Sequence, residues 1–381
     1  MSQGVDPARY AARLEAVRAL LASDGDAGLL VGVGPELEWL VGYAAHGLER
    51  LNLLVVTKDR AAFVVPRLEL DSARAAPGLA SGTVDLLAWE ETDDPFALVP
   101  PALATTSRRG RLLVSDGLRA AFLLGLQSVL PEGRFGLAST VLAPLRRVKD
   151  ADELALLKAA GAAADRVVEA VVAGTLIGRS EADVAREVRE LLVAEGHDTA
   201  GFAIVASGPN SASPHHEPGD RVLSAGEPLL LDIGGRLGGY FSDITRTVWV
   251  GDDGAAAPDE RFREIYGLVE QAQAAGREAV RPGVAFAALD SAARSVIEDG
   301  GYGERFFHRL GHGIGLEVHE EPYVVSTNSE PVVAGDTFSI EPGIYLEGRY
   351  GVRIEDAVVC TPDGVDPLNE APRQLRVVPG R

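Results

Sequence analysis

Apolar residues along this chain switch between two spacings. Near the start, Tyr10, Leu14, Val17, Leu20 and Leu21 recur at helical intervals, behind Asp6 as an N-cap and Pro7 at the first helical position. Residues 28–33 then read as a strand, 35–41 as a short helix, and 51–57 with 62–66 as paired strands. Helical and strand patterns keep alternating through 68–75, 84–89, 95–103, 111–115 and 118–130, which predicts an α/β domain. Gly32-Val-Gly34 hints at a phosphate loop, but the rest of a nucleotide fingerprint is missing, and turn glycines explain it better. Leu145-Arg-Arg-Val-Lys-Asp-Ala-Asp-Glu153 is a charged break before a long helix that runs to Ala173, capped by Asp150 or Asp152. The boundary is placed there, separating 1–147 from 148–381. A second helix follows Ser180, where Ser180-Glu-Ala-Asp183 resembles a capping box.

The second part reads twice as helix, helix, strand pair, an α+β arrangement with a weak internal repeat. The first strand pair covers 229–247 and turns on glycines, with Asp232 on one strand and Asp243 on the other. Helices over 259–280 and 286–299 follow, then strands over 338–345 and 352–358, again with one acid each, Glu341 and Glu355. The repeat would bring four carboxylates to a common centre. A buried carboxylate needs a cation or a set of hydrogen bonds. For Asp232 and Asp243, a metal pair and pairing with Arg236 or Arg246 satisfy that need equally well.

Composition narrows the field. With 381 residues, the chain is long enough for two domains. Its 36 Lys and Arg against 56 Asp and Glu leave a net charge of −20, which argues against nucleic acid or an anionic membrane as partner. Cys360 is the lone cysteine, so a disulfide framework and a cysteine-based zinc site are excluded. The first residues lack a basic segment followed by an apolar one, and no apolar run is long enough to span a bilayer. A cytoplasmic location is expected. Five of the seven histidines lie between His215 and His319, and Phe307-His-Arg-Leu-Gly-His-Gly-Ile-Gly-Leu-Glu-Val-His319 holds three of them. Its glycines let the backbone approach something closely. No HExxH is present, since His319-Glu-Glu-Pro lacks the second histidine.

Together these segments resemble the M24 metallopeptidases, the pita-bread enzymes that include methionine aminopeptidase, Xaa-Pro aminopeptidase and Xaa-Pro dipeptidase (prolidase). The resemblance covers nearly the whole chain, with a creatinase/prolidase-like domain first and a pita-bread catalytic domain, with its internal pseudo-twofold repeat, second. It implies five metal ligands: Asp232 in LLLDIGG, Asp243 in YFSDITRT, His312 in GHGIG, Glu341 in SIEPGIY and Glu355 in VRIEDAV. Four carboxylates and one imidazole suit two divalent ions, Mn2+ first, with Co2+ or Zn2+ as alternatives. A hydroxide bridging the two ions is the implied nucleophile, and Glu341 the group that takes the water's proton. The resemblance also assigns His215 to the substrate carbonyl, His308 to proton transfer at the leaving amide, and His319 and Arg353 to substrate binding, with Tyr345 as a weaker candidate for the pocket wall. His216, where a small residue is commoner, receives no catalytic role.

A first domain of this size favours the proline-specific members. The expected activity is hydrolysis of Xaa-Pro bonds at the N-terminus of short peptides, Xaa-Pro dipeptides foremost, with Xaa-Pro aminopeptidase as the alternative. The 43–50 segment is the candidate for a loop that blocks longer substrates. A homodimer is typical of similar proteins. The rivals are a metal-free creatinase-like hydrolase and a catalytically silent binding module, and five intact ligand positions argue against both.

Overall fold

The computed structural model describes residues 7–45, 49–80, 82–103, 108–251 and 257–379. The chain divides into two units, Met1–Arg146 and Arg147–Arg381. In the first, α1 (Pro7–Asp24) buries Tyr10, Leu14, Val17 and Leu21, most of the predicted stripe. It is followed by β1 (Gly28–Val31), α2 (Pro35–Val41), β2 (Leu53–Val56), β3 (Ala61–Pro66), α3 (Leu70–Ala75), α4 (Pro77–Ala80) and β4 (Asp85–Trp89). Then come α5 (Val99–Ala102), β5 (Arg111–Val114), α6 (Ala120–Val129), β6 (Arg134–Leu137) and α7 (Ser139–Arg147). The six strands form one sheet in the order β4-β3-β2-β1-β5-β6. β6 and α7 have no counterpart in the sequence reading. β6 is a half-exposed edge strand without a clean alternation, and α7 is short and carries an internal proline, Pro144, which argues against a helix. His46, Gly47 and Leu48 of the supposed blocking loop lie outside the described residues.

The second unit opens with α8 (Ala151–Ala173), an alanine-rich helix capped by a true capping box between Asp150 and Glu153. α9 (Glu181–Ala194) starts at Ser180, whose side chain accepts from the Asp183 N–H, so only the N-cap half of a capping box forms there. Strand β7 (Thr199–Ser207) was not foreseen, because its small residues and a register shift between Ala200 and Phe202 blur the alternation. β8 (Glu227–Leu237), β9 (Tyr240–Phe241) and β10 (Ile244–Val250) form the first strand group. α10 (Glu260–Glu278, N-capped by Asp259) and α11 (Phe286–Asp299) then lead to β11 (Gly311–Gly313), β12 (Glu320–Val324) and β13 (Thr337–Ile340). β14 (Gly343–Leu346), β15 (Tyr350–Arg353), β16 (Glu355–Thr361), β17 (Gly364–Pro367) and β18 (Val377–Val378) complete the unit. Among the described residues, no helix is long and apolar enough to cross a membrane.

The sheet runs β12-β11-β13-β16-β10-β8-β7, with short strands added beside it. Its middle is the β10–β16 seam, and the repeat is visible on either side. α8 and α9 pack on β7, β8 and β10 through Val167, Val188, Leu229, Leu231, Ile233 and Val248. α10 and α11 pack on β13 and β16 through Phe262, Val269, Phe286, Phe338, Ile340 and Val358. The α+β pita-bread class with its pseudo-twofold repeat is thus the observed architecture.

Strand alternation decides what faces the opposite side. Leu231 and Ile233 enter the helix-side core, so Asp232 between them points the other way. The register aligns Asp232 with Thr245, and Thr245 with Glu355. Ile340 pairs with Asp356, which brings Glu341, the next residue, alongside Glu355. Asp232 and Asp243 therefore do not sit directly opposite each other. Thr245 is the residue opposite Asp232, and Asp243 sits two places earlier, in the break between β9 and β10. The later strand pair is likewise broken, with the β14–β15 hairpin inserted between Glu341 and Glu355.

Candidate active site

One row of side chains across four strands thus carries Asp232, Thr245, Glu355 and Glu341, with Asp243 at its edge. β11 adds the imidazole. Gly311 and Gly313 flank His312, and a Cβ on Gly311 would lie 1.9 Å from the Ser339 carbonyl oxygen, so only glycine lets β11 approach β13 this closely. The His312 N–H donates to Ser339 Oγ at 3.1 Å.

The imidazole's role follows from its partners. His312 Nδ1 lies 3.2 Å from the Gly313 carbonyl oxygen. A carbonyl only accepts, so Nδ1 carries the proton and Nε2 the lone pair. That lone pair faces Glu341 Oε1 at 3.3 Å and Asp243 Oδ2 at 3.7 Å. Electron pairs therefore meet electron pairs. Asp243, His312 and Glu355 each offer a ligand atom within 4.8 Å of the others. Asp232 Oδ1, Asp243 Oδ1 and Glu355 Oε1 are buried without a hydrogen-bond partner.

Charge tells the same story. Burial, then Glu355, Asp232 and Glu341, raise the Asp243 carboxyl well above its usual range. Burial lifts Glu341 to about 7, with Asp232 adding to the rise, and lifts Glu355 to about 8, with Glu341 and Asp232 adding. Burial lowers the pKa of His312, against the pull of Glu355. Two arginines oppose that charge: Arg309, on the cavity wall, acts on Glu341, and Arg353 makes direct bonds. Arg353 Nη2 donates to Asp232 Oδ2 at 2.5 Å, and its Nε donates to Thr245 Oγ1 at 3.1 Å. Thr245 in turn donates to Glu355 Oε2 at 2.6 Å. Four clustered carboxylates with two arginines leave a deficit of positive charge and several unused oxygens. Hard, oxygen-seeking divalent cations fit that donor set. Pairing of the aspartates with Arg236 or Arg246 does not occur: Arg353 takes Asp232, and Arg246 donates to Asp356 at 2.6 Å on the helix side of the sheet.

A cavity of about 800 Å³ opens onto this cluster. Its wall includes Asp232, Asp243, His312, Glu341, Glu355, Arg353, His215, His308 and His319. Phe202, Ile204, Phe307 and Val318 supply an apolar side. His215 is exposed at the wall, and the His319 ring stands edge-on to His312 with centroids 4.1 Å apart. Two expectations change. Tyr345 is not on the wall. It is 2% exposed, and its hydroxyl lies 2.9 Å from Arg353 Nη1 and 3.0 Å from His308 Nε2. His308 has both ring nitrogens engaged, since Nδ1 donates to the Arg309 carbonyl at 2.8 Å. Arg353 can only donate to the tyrosine oxygen, so the tyrosine proton goes to His308 Nε2. Burial pushes the His308 pKa down to about 4, which keeps it neutral, and both of its ring nitrogens are bonded within the protein instead of facing a leaving amide.

Sequence reasoning missed Thr245, Phe202 and Ile204, together with Glu181, the fully buried acid that receives His216 Nε2 at 2.7 Å. Each acts through a tertiary partner far along the chain, so no local pattern marks it.

The metallopeptidase family M24 model matches residues 155–362, and the creatinase/prolidase N-terminal domain model matches 13–148. A "probable dipeptidase PepE" of Mycobacterium tuberculosis is 44% identical over 383 residues, covering 99% of each chain. The crystal structure of dipeptidase PepE from Mycobacterium ulcerans is similar at 45% identity and a TM-score of 0.92, covering 98% of this chain and 99% of that one. A recombinant prolidase from Thermococcus sibiricus is similar at 33% identity and a TM-score of 0.88, covering 97% and 99%.

Proposed function

The chain belongs to metallopeptidase family M24, and from that membership we propose that it hydrolyses the Xaa-Pro bond at the N-terminus of short peptides, Xaa-Pro dipeptides foremost. The observation that carries the reading is the convergence of four acids and one imidazole lone pair, with unpartnered buried oxygens, at the floor of a half-apolar cavity. Asp232, Asp243, His312, Glu341 and Glu355 would hold two divalent ions, Mn2+ foremost. Such ions supply Lewis acidity, which acidifies a water and polarises the scissile carbonyl.

The chain's own groups do the rest. Arg353 and Thr245 fix the orientation of Asp232 and Glu355. Glu341, at the cavity and partly solvent-facing, receives the proton of the attacking water. His215 donates to the carbonyl oxygen as that atom gains charge. A bond to proline has no amide N–H to satisfy, so Phe202, Ile204, Phe307 and Val318 suit the proline ring and exclude water around it. His319 lines the substrate side. His308 is assigned to orienting Tyr345 and, through it, Arg353.

The test is release of free amino acids from Ala-Pro, Ala-Pro-Ala and Met-Ala-Ser by chelated protein, with and without added Mn2+, Co2+ or Zn2+. Metal-dependent cleavage of Ala-Pro alone is the expected result. Cleavage of Ala-Pro-Ala as well would make the protein an Xaa-Pro aminopeptidase. Cleavage of Met-Ala-Ser alone would remove the proline preference, and a protein that cleaves nothing and binds no metal would be a binding module.

A further inference from the structure

Glu181 is the first residue of α9, and its carboxylate is fully buried. Burial works against its charge, but donors from Ser207, His216 and Asn210 outweigh that and hold its pKa below the usual value. Oε1 accepts from the Ser207 N–H at 2.7 Å, Ser207 Oγ at 2.8 Å and Asn210 Nδ2 at 3.1 Å. Oε2 accepts from Asn210 Nδ2 at 3.1 Å and from His216 Nε2 at 2.7 Å. An ionised carboxylate only accepts, so His216 Nε2 carries a proton.

All three partners belong to one loop. Ser207 ends β7, Asn210 lies in the 3-10 turn Gly208–Ala212 that follows, and His216 stands just past the tip. One carboxylate therefore ties the start of this connection to His216 near its middle. Between the ties, Ser211 Oγ accepts from the Gly351 N–H at 2.9 Å, and the Pro214 carbonyl accepts from Arg353 Nη2 at 3.4 Å. His215, one peptide unit before His216, is the exposed residue that reaches the cavity.

We infer that His216 is a positioning residue for His215, acting through the buried carboxylate of Glu181; this rests on the Xaa-Pro reading above. The bond from His216 to Glu181 sets where the loop tip sits, and so where His215 meets the substrate carbonyl. His216 does not touch substrate. Without it the loop keeps the anchors that precede His215, at Ser207, Asn210, Ser211 and Pro214, but loses the one that follows it, and misplacement by about 1 Å costs on the order of 10²-fold in rate.

The experiment is a double-mutant cycle read with two measurements. His216→Ala and His216→Gln are made in the wild-type and His215→Ala backgrounds, metal-loaded. On Ala-Pro, His216→Ala is expected to lower kcat between about 10-fold and 10²-fold with little change in KM or metal content. His216→Gln, which keeps an N–H donor of similar reach, should restore most of that loss. In the His215→Ala background, His216→Ala should cost little more. Amide hydrogen exchange across 208–217 should quicken in His216→Ala and recover in His216→Gln. Equal losses of kcat in both backgrounds, or an unchanged kcat, would overturn the positioning role. Unchanged exchange would overturn the anchor itself. A wild type inactive on Ala-Pro retires the Xaa-Pro reading instead, and the exchange measurement then decides the anchor by itself.

Discussion

Arg353 holds one oxygen of Asp232 at 2.5 Å and leaves the other buried without a protein partner. Burial opposes the charge on Arg353, but Tyr345, Asp232, Glu341 and Glu355 outweigh it and keep the guanidinium firmly protonated. Half of Asp232 is thus committed to the protein and half is available to a cation. Replacing Arg353 with methionine keeps the volume and removes the charge. It should destabilise the chelated protein by about 3–5 kcal/mol, the usual result of removing one partner from a buried pair. Denaturant unfolding with and without chelator measures this.

Asp243 and Glu355 each have an unpartnered oxygen, and both lie within reach of His312. Asp243→Ala and Glu355→Ala should each abolish metal loading together with peptidase activity. Elemental analysis beside the Ala-Pro assay checks both at once. A variant that keeps metal and rate would take that residue out of the ligand set.

His215 is expected to act on the carbonyl oxygen, away from the metals. His215→Ala should lower kcat by about 10²–10³-fold with metal content unchanged, the range for loss of one oxyanion donor. An unchanged rate would assign His215 to loop structure only.

The acid cluster also fixes a pH dependence. Glu341 and Glu355 have an ordinary value of 4.5 and are raised to about 7 and about 8, and Asp243 is raised as well, all chiefly by burial. Across that window the folded, metal-free protein holds protons that the unfolded chain has lost. Its stability therefore falls as pH rises from about 4.5 toward about 8. Divalent cations displace those protons, so metal binding should release protons at pH 7 and weaken in acid. Thermal melts at pH 6 and pH 8.5, with chelator or with Mn2+, test the sign: the melting temperature gained from metal should be larger at pH 8.5.

Gly311 permits the closest backbone approach at the site. Gly311→Ala would press a Cβ to 1.9 Å from the Ser339 carbonyl oxygen, which must force β11 away from β13. Destabilisation of about 1–3 kcal/mol or more is expected, with loss of metal because His312 is the next residue. Calorimetry and elemental analysis would follow the two effects separately.

What the sequence disclosed depended on range. The apolar spacing of α1 is local and was legible, and so was a cap on α8, narrowed to Asp150 or Asp152, of which the structure uses Asp150. The strand β7 was not, because Thr199–Ser207 is built largely of small residues with a register shift. The residue opposite Asp232 is set by the hairpin register, which runs unshifted from Leu237 with Tyr240 to Asp232 with Thr245 and so leaves Asp243 two places away. The engagement of Tyr345 and His308 with each other, and of His216 with Glu181, joins residues 37 and 35 positions apart through side-chain geometry that no spacing rule encodes.

The seam between β10 and β16 carries one more consequence. Asp232 and Asp243 lie on the N-terminal side of it, and His312, Glu341 and Glu355 on the other, joined through the Thr245–Glu355 pairing. The stretch from α8 to β10 holds only two of the five proposed donors. Assembly of the proposed donor set thus waits on a long-range event, the closing of β16 on β10, which joins residues 110 positions apart in the chain.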